Sequence, residues 1–195
     1  MADKIDSFVG LFGAGELPTG DKDPYALRRA ALSILRILIE REHDLSLSEL
    51  VSMSAEIYSD LQEFTIDDST QLAIVKFIRG RLTAFYQSQD IATNTINAVM
   101  ACEPDSPLDF EQRVKAVHAF FGSASAADLA AANKRVSNIL KKQNFTQSIN
   151  IESNLFEHDE EHALFNAIDN IDADCSTLFD SGDYKTGLNL SLIHI

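Results

Sequence analysis

From Ile5 to Leu178 the apolar residues return every three or four positions, and nowhere do they alternate convincingly as a strand would require. That spacing predicts an all-α protein. Ile5, Phe8, Val9 and Phe12 form the stripe of a first helix over 3–12, and Gly13 to Gly20 a turn-rich break. Asp23 then Pro24 reads as an N-cap and first helical position. The helix so opened, over 24–41, is expected to bury Leu27, Ile34, Leu35 and Leu38. Ser46 with Glu49 forms a capping box for a helix through Leu61. One long helix over 68–87 follows, with Leu72, Val75, Phe77, Ile78, Leu82 and Phe85, then a short one over Ile91–Met100. Pro104 and Pro107 bracket the best candidate for a domain boundary. Beyond it come a helix with Phe110, Val114, Val117 and Phe121, and a break at Gly122 and Ser123. An alanine-rich helix over 124–140 and a polar loop over 143–157 come next. A last helix starts near Asp159 and carries Leu164, Phe165, Ile168, Ile171 and Leu178.

A length of 195 residues suits one large domain or two small ones, and 45% apolar with 24% charged residues is an ordinary globular composition. No apolar run reaches the ~20 residues of a membrane span, and Met1-Ala2-Asp3-Lys4 lacks the core of a signal peptide. Cys102 and Cys175 imply neither a disulfide framework nor a zinc knuckle, so a reducing cytoplasm is the simplest setting. A net charge of −14 argues against nucleic acid, because affinity for phosphate comes mainly from Lys and Arg. The charge is segregated, however. Residues 22–41 carry five bases and two acids, and 42–68 eight acids and no base. Residues 113–142 carry six bases and one acid, and 144–195 ten acids and one base. A polyanion could therefore find two basic segments on an acidic body.

Few short motifs survive scrutiny. Gly10, Gly13 and Gly15 resemble a phosphate loop, but a helix precedes them and Pro18 stands where the third glycine belongs. A helix–helix turn is the better reading. His158 and His162 share a helix face, but Asp159 stands where a zinc protease needs Glu, so a solvated acidic cap is expected. Glu42-His43-Asp44 contains the His-Asp pair of metal phosphohydrolases in a charged turn with no other ligands in view. Arg28, Arg29 and Arg36 suit bidentate phosphate contact or ion pairing with the acidic 42–68 segment, and spacing does not choose. Lys134, Arg135, Lys141 and Lys142 repeat at sevens late on the alanine-rich helix, with Asn133 and Asn138 as polar donors. They suit either an RNA backbone or the negative end of the helix dipole. No catalytic set, metal site or phosphate-cradling loop can be assembled.

Five stretches together carry a resemblance. They are ADKIDSFVG at 2–10, PTGDKDPYALRRAAL at 18–32, GRLTAFYQ at 80–87 with TINAVMA at 95–101, DFEQRVKAVHAF at 109–120 and AAANKRVSNILKK at 130–142. In this order they resemble the C-terminal third of the glycyl-tRNA synthetase β subunit of the bacterial α2β2 type, over about residues 2–188. DPYALRRAAL and ANKRVSNIL are the most specific pieces.

That resemblance implies an enzyme joining glycine to tRNA(Gly) with ATP and Mg, its catalytic core mainly on the α subunit. It implies that residues 1–104 end an HD-like helical body region and that 105–190 begin a DALR-type anticodon-binding domain, here incomplete. Lys134, Arg135 and Asn138 are then expected to contact tRNA, with Arg28 and Arg29 as further contacts; no catalytic or metal-binding residue and no cofactor is expected here. The partners expected are tRNA(Gly) and the α subunit, without a membrane. Leu190 to Ile195 resembles translated adapter sequence, so a piece truncated at both ends is expected, with 191–195 a non-native tail packing on nothing native. The alternative is an acidic helical scaffold whose basic helices pair only with its own acidic ones.

Overall fold

The computed structural model describes residues 1–19, 22–60, 66–142 and 153–190. These are all-α: among them the only β feature is an isolated bridge between Thr19 and Lys22. The chain packs as two units, one of residues 1–114 and the other from Lys115 onward.

In the first unit, α1 (Ala2–Gly13) packs on α2 (Leu27–Glu40), α3 (Leu47–Asp60) and α4 (Asp68–Arg79). Helix α2 also meets α4 and α5 (Arg81–Gln87), and α5 leads into α6 (Thr93–Met100). Helix α7 (Pro107–Phe121) contains the division between units. Leu27, Ala31, Ile34, Leu35 and Leu38 of α2 are buried as the stripe requires, and fully burying one such Leu or Ile stabilises by about 1.5–3 kcal/mol. Phe8 and Phe12 close against Phe77 with ring centroids 5.8 and 5.7 Å apart. Gly10 lets α1 meet α3, since a Cβ there would lie 2.6 Å from the Tyr58 hydroxyl.

Three sequence expectations are corrected. Helix α2 begins at Leu27, not Pro24, because Ala26 takes a left-handed turn at φ 54°. Asp23 still caps it from outside, accepting the N–H groups of Leu27 at 2.8 Å and Arg28 at 3.0 Å. The long helix over 68–87 is two helices meeting at Gly80, where weak helix propensity lets each half follow its own neighbours. A further helix follows the one expected to be last. In the second unit, α9 (Asp159–Asp180) ends in a left-handed Gly182 at φ 79°, and α10 (Tyr184–Leu190) folds back on it. A Cβ on Gly187 would lie 2.4 Å from the Phe179 ring, which itself stacks on Tyr184. Leu164 and Ile168 of α9 are exposed.

The second unit also holds α8 (Ala124–Lys142) and a 3-10 turn at Ser153–Leu155, which occupies part of the expected loop. The rest of that loop, through 152, and the expected tail 191–195 lie outside the described residues.

Two polar contacts seat the start of α7 in the first unit. The Asp105 carboxylate accepts both Ser46 and Ser48 hydroxyls, the Ser48 N–H at 3.2 Å and an Arg79 N–H at 3.2 Å. The Ser46 hydroxyl in turn accepts the Glu49 N–H, the first half of the expected capping box. Partial burial pushes the Asp105 carboxyl upward, but the two hydroxyls, the N–H and Arg79 outweigh it and hold it below its ordinary 3.8. Tyr86, wholly inside, donates its hydroxyl to Glu111 and stacks on Phe110 at 5.5 Å.

Leu38→Ala is expected to cost about 2–5 kcal/mol in urea unfolding, and Leu72→Ala, at 53% exposure, less than about 0.5 kcal/mol. Equal losses would overturn the assignment of α2 as the core helix. Asp105→Ala is expected to cost about 1–2 kcal/mol near neutral pH. Because folding lowers this carboxyl's pKa, its contribution is full above the unfolded value and is lost as pH falls through the lower folded value. The difference between wild type and variant should therefore begin to shrink below about pH 4.

Candidate nucleic-acid interface

Helix α8 is a long run of alanines and good helix formers, so its side chains sit at fixed angles along a straight rod. At 3.6 residues per turn, positions 131, 134, 135, 138, 139 and 142 fall on one side. They line a shallow concavity of about 530 Å3, made among the described residues by Ala131, Lys134, Arg135, Asn138, Ile139 and Lys142. The structure thus brings Lys134, Arg135 and Asn138 together. Lys142, which spacing pairs with Arg135 but which the candidate set omits, joins them, whereas Asn133 faces away.

The cations of this face are exposed, and among the described residues none of Lys134, Arg135, Lys141 and Lys142 meets an acid. Arg79 pairs with Asp105 and Arg113 with Asp109. Dipole complementation accounts for a cation in the last turn, such as Lys141 or Lys142. It accounts poorly for Lys134 and Arg135, two turns further back. Beside the cationic face runs an apolar one, with Val136 54%, Ile139 47% and Leu140 42% exposed.

Arg28 and Arg29 stand on the first turn of α2, in the first unit, and so belong to a different surface element from the α8 set. Arg29 is exposed, and Arg28 is half-buried with its main-chain N–H on Asp23. Both sit at the positive end of the helix dipole, where an anion is favoured and a cation is not. Arg36 lies over the Phe85 ring at 5.9 Å, and among the described residues no ion pair joins it to an acid of the 42–68 segment.

The other motifs resolve into structure. Gly10 and Gly13 are helical and Gly15 turns left-handed at φ 77°. Glu42 and His43 close the end of α2: left-handed Glu42, at φ 52°, donates its N–H to Ile39 and His43 donates to Leu38. At the head of α9, the Glu161 carboxylate accepts the N–H groups of Glu157 at 2.7 Å and His158 at 3.0 Å, and His162 stands edge-on to Phe156. The N–H of Glu157, then that of His158, holds the Glu161 carboxyl below its usual range.

Residues 1–101 match the profile of the glycyl-tRNA synthetase beta subunit. The chain belongs to that family. It is 44% identical over 189 residues to the glycine–tRNA ligase beta subunit of Acinetobacter baumannii, and equally so to that of Glaesserella parasuis. Each of these alignments takes in 97% of this chain and 27% of the relative. Against the subunit of Colwellia psychrerythraea identity is 51% over 142 residues, 73% of this chain and 20% of the relative. The chain thus spans about a quarter of the length of the curated relatives it matches. The family profile covers α1 to α6, while the longer alignments, leaving out only 3% of the chain, take in α8 as well.

Among the described residues this cationic helix face has no acidic partner, so the fold is not expected to depend on it. Replacing both Lys134 and Arg135 by Ala is expected to change the unfolding free energy by no more than about 0.5 kcal/mol per site, since both are exposed and Ala favours the helix. Melting followed by circular dichroism checks this. A loss of several kcal/mol would mean that these cations hold the fold together.

Proposed function

We propose that this chain supplies tRNA binding to a glycyl-tRNA synthetase, with Lys134, Arg135 and Asn138 on α8 contacting tRNA(Gly) and Arg28 and Arg29 making further contacts. One observation carries the reading: an acidic chain keeps three cations, Lys134, Arg135 and Lys142, on one exposed concave face without acidic partners among the described residues. Such a face gains from meeting phosphates, whose bound counterions are released. In this reading α8 lies in an anticodon-binding domain that begins near residue 105, and residues 1–104 continue an HD-like body. The partners are tRNA(Gly) and the α subunit, and the setting is the cytoplasm. Among the described residues no helix is long and apolar enough to cross a membrane.

The chemistry of glycine activation would use ATP, Mg and glycine on the α subunit, while this chain contributes tRNA affinity and orientation. The scaffold alternative needs ion pairs between α8 and the chain's own acids, and none is present among the described residues.

The test uses the whole α2β2 enzyme with Lys134→Ala and Arg135→Ala together. Charging of tRNA(Gly) is expected to fall by about tenfold or more, the loss of two charge-assisted contacts, with pyrophosphate exchange nearly intact. The slope of tRNA affinity against salt on logarithmic axes should flatten by about 2. Equal losses in charging and exchange would assign these residues to folding or assembly, and the tRNA-contact role would fall.

A further inference from the structure

We propose that Asn138 reads the edge of an unpaired base while Lys134, Arg135 and Lys142 hold the backbone on either side of it. This rests on the reading of α8 as an RNA-binding face. Within the concavity Asn138 has Lys134 four residues before it, Arg135 three before and Lys142 four after. Those are the offsets that place side chains next to one another on a helix surface. The amide therefore stands inside a frame of cations spread over about 12 Å of helix axis.

The chemistry of the frame and of its centre differ. Lys and Arg meet phosphate as charges and carry little sequence information by doing so. A carboxamide carries no charge but offers two donors and an acceptor in one plane, the pattern that matches a base edge. Local structure gives Asn138 no other task. It sits inside the helix, where Asn is a poor helix former. It is exposed, and its side chain hydrogen-bonds to no other described residue. Asn133, of the same type on the same helix, faces away from the cations and is the internal comparison. Ala131 and the exposed flank of Ile139 complete the concavity with apolar surface, against which a flat ring can lie. Only a base outside a duplex can turn its edge and one face toward such a surface.

The experiment uses the whole α2β2 enzyme and four RNA hairpins that share one stem and carry loops of all U, all C, all A or all G. Wild type is expected to prefer one loop by about tenfold, the discrimination of one good side-chain–base pair. Asn138→Ala should bring the four affinities within about twofold, and Asn138→Asp, which keeps the shape but loses the donors and adds a charge, should abolish the wild-type preference. Asn133→Ala should leave the preference unchanged. Lys134→Ala should weaken all four hairpins by one common factor and lower the salt slope by about 1. Circular dichroism of each variant confirms the helix. No loop preference in wild type, or a uniform loss from Asn138→Ala, would overturn the base-reading role and leave the RNA reading standing. Failure of every hairpin to bind, or indifference to Lys134→Ala, would overturn the RNA reading itself.

Discussion

The first unit depends on the burial of one face of α2. Leu27, Ala31, Ile34, Leu35 and Leu38 meet α1, α4 and α5, so removing water from this single stripe positions three neighbouring helices at once. The aromatic cluster of Phe8, Phe12 and Phe77 extends the same core, and Gly10 admits the close approach of α3. Polar contacts then choose the path of the chain around that core. Asp105 gathers the heads of α3 and α7 with the end of α4, and Tyr86 fixes α7 against α5. Neither contact could organise an unfolded chain, because each needs partners from distant segments already brought together.

What the sequence made legible follows from how local each signal is. The stripe of α2 and the face of α8 depend on spacing within one helix, and both stand where periodicity puts them. The start of α2 was displaced by three residues because Asp23 caps across a left-handed Ala26, a geometry that an Asp-Pro pair does not announce. The break at Gly80 was hidden because apolar residues continue in helical register across it. Helix α10 was missed because its seven residues are too few to show a period; Gly182 and Gly187 were the available signs. The tie between Asp105 and Ser46 joins residues 59 apart, and nothing in a single sequence links them. Within the site, helical geometry alone separates Asn138 from Asn133 and adds Lys142.

Charge segregation gives the molecule two registers of electrostatics. The acids repel polyanions at long range and are screened beyond about 8–10 Å at ordinary ionic strength. The α8 cations act within contact distance, where screening is weaker and geometry decides. A net charge of −14 therefore governs the approach of any polyanion, while the local geometry of α8 governs contact.

The two long sides of α8 also have opposite chemistries, cations on one and Val136, Ile139 and Leu140 on the next. Ionic strength acts on them in opposite directions. Salt competes with phosphate for the cations, while sulfate and similar excluded anions strengthen the tendency of apolar surface to leave water. Solutions that weaken the pull of these cations on a polyanion thus promote contact through the neighbouring side of the same helix. Colloidal behaviour and attraction for anions trade against each other across a single turn of backbone.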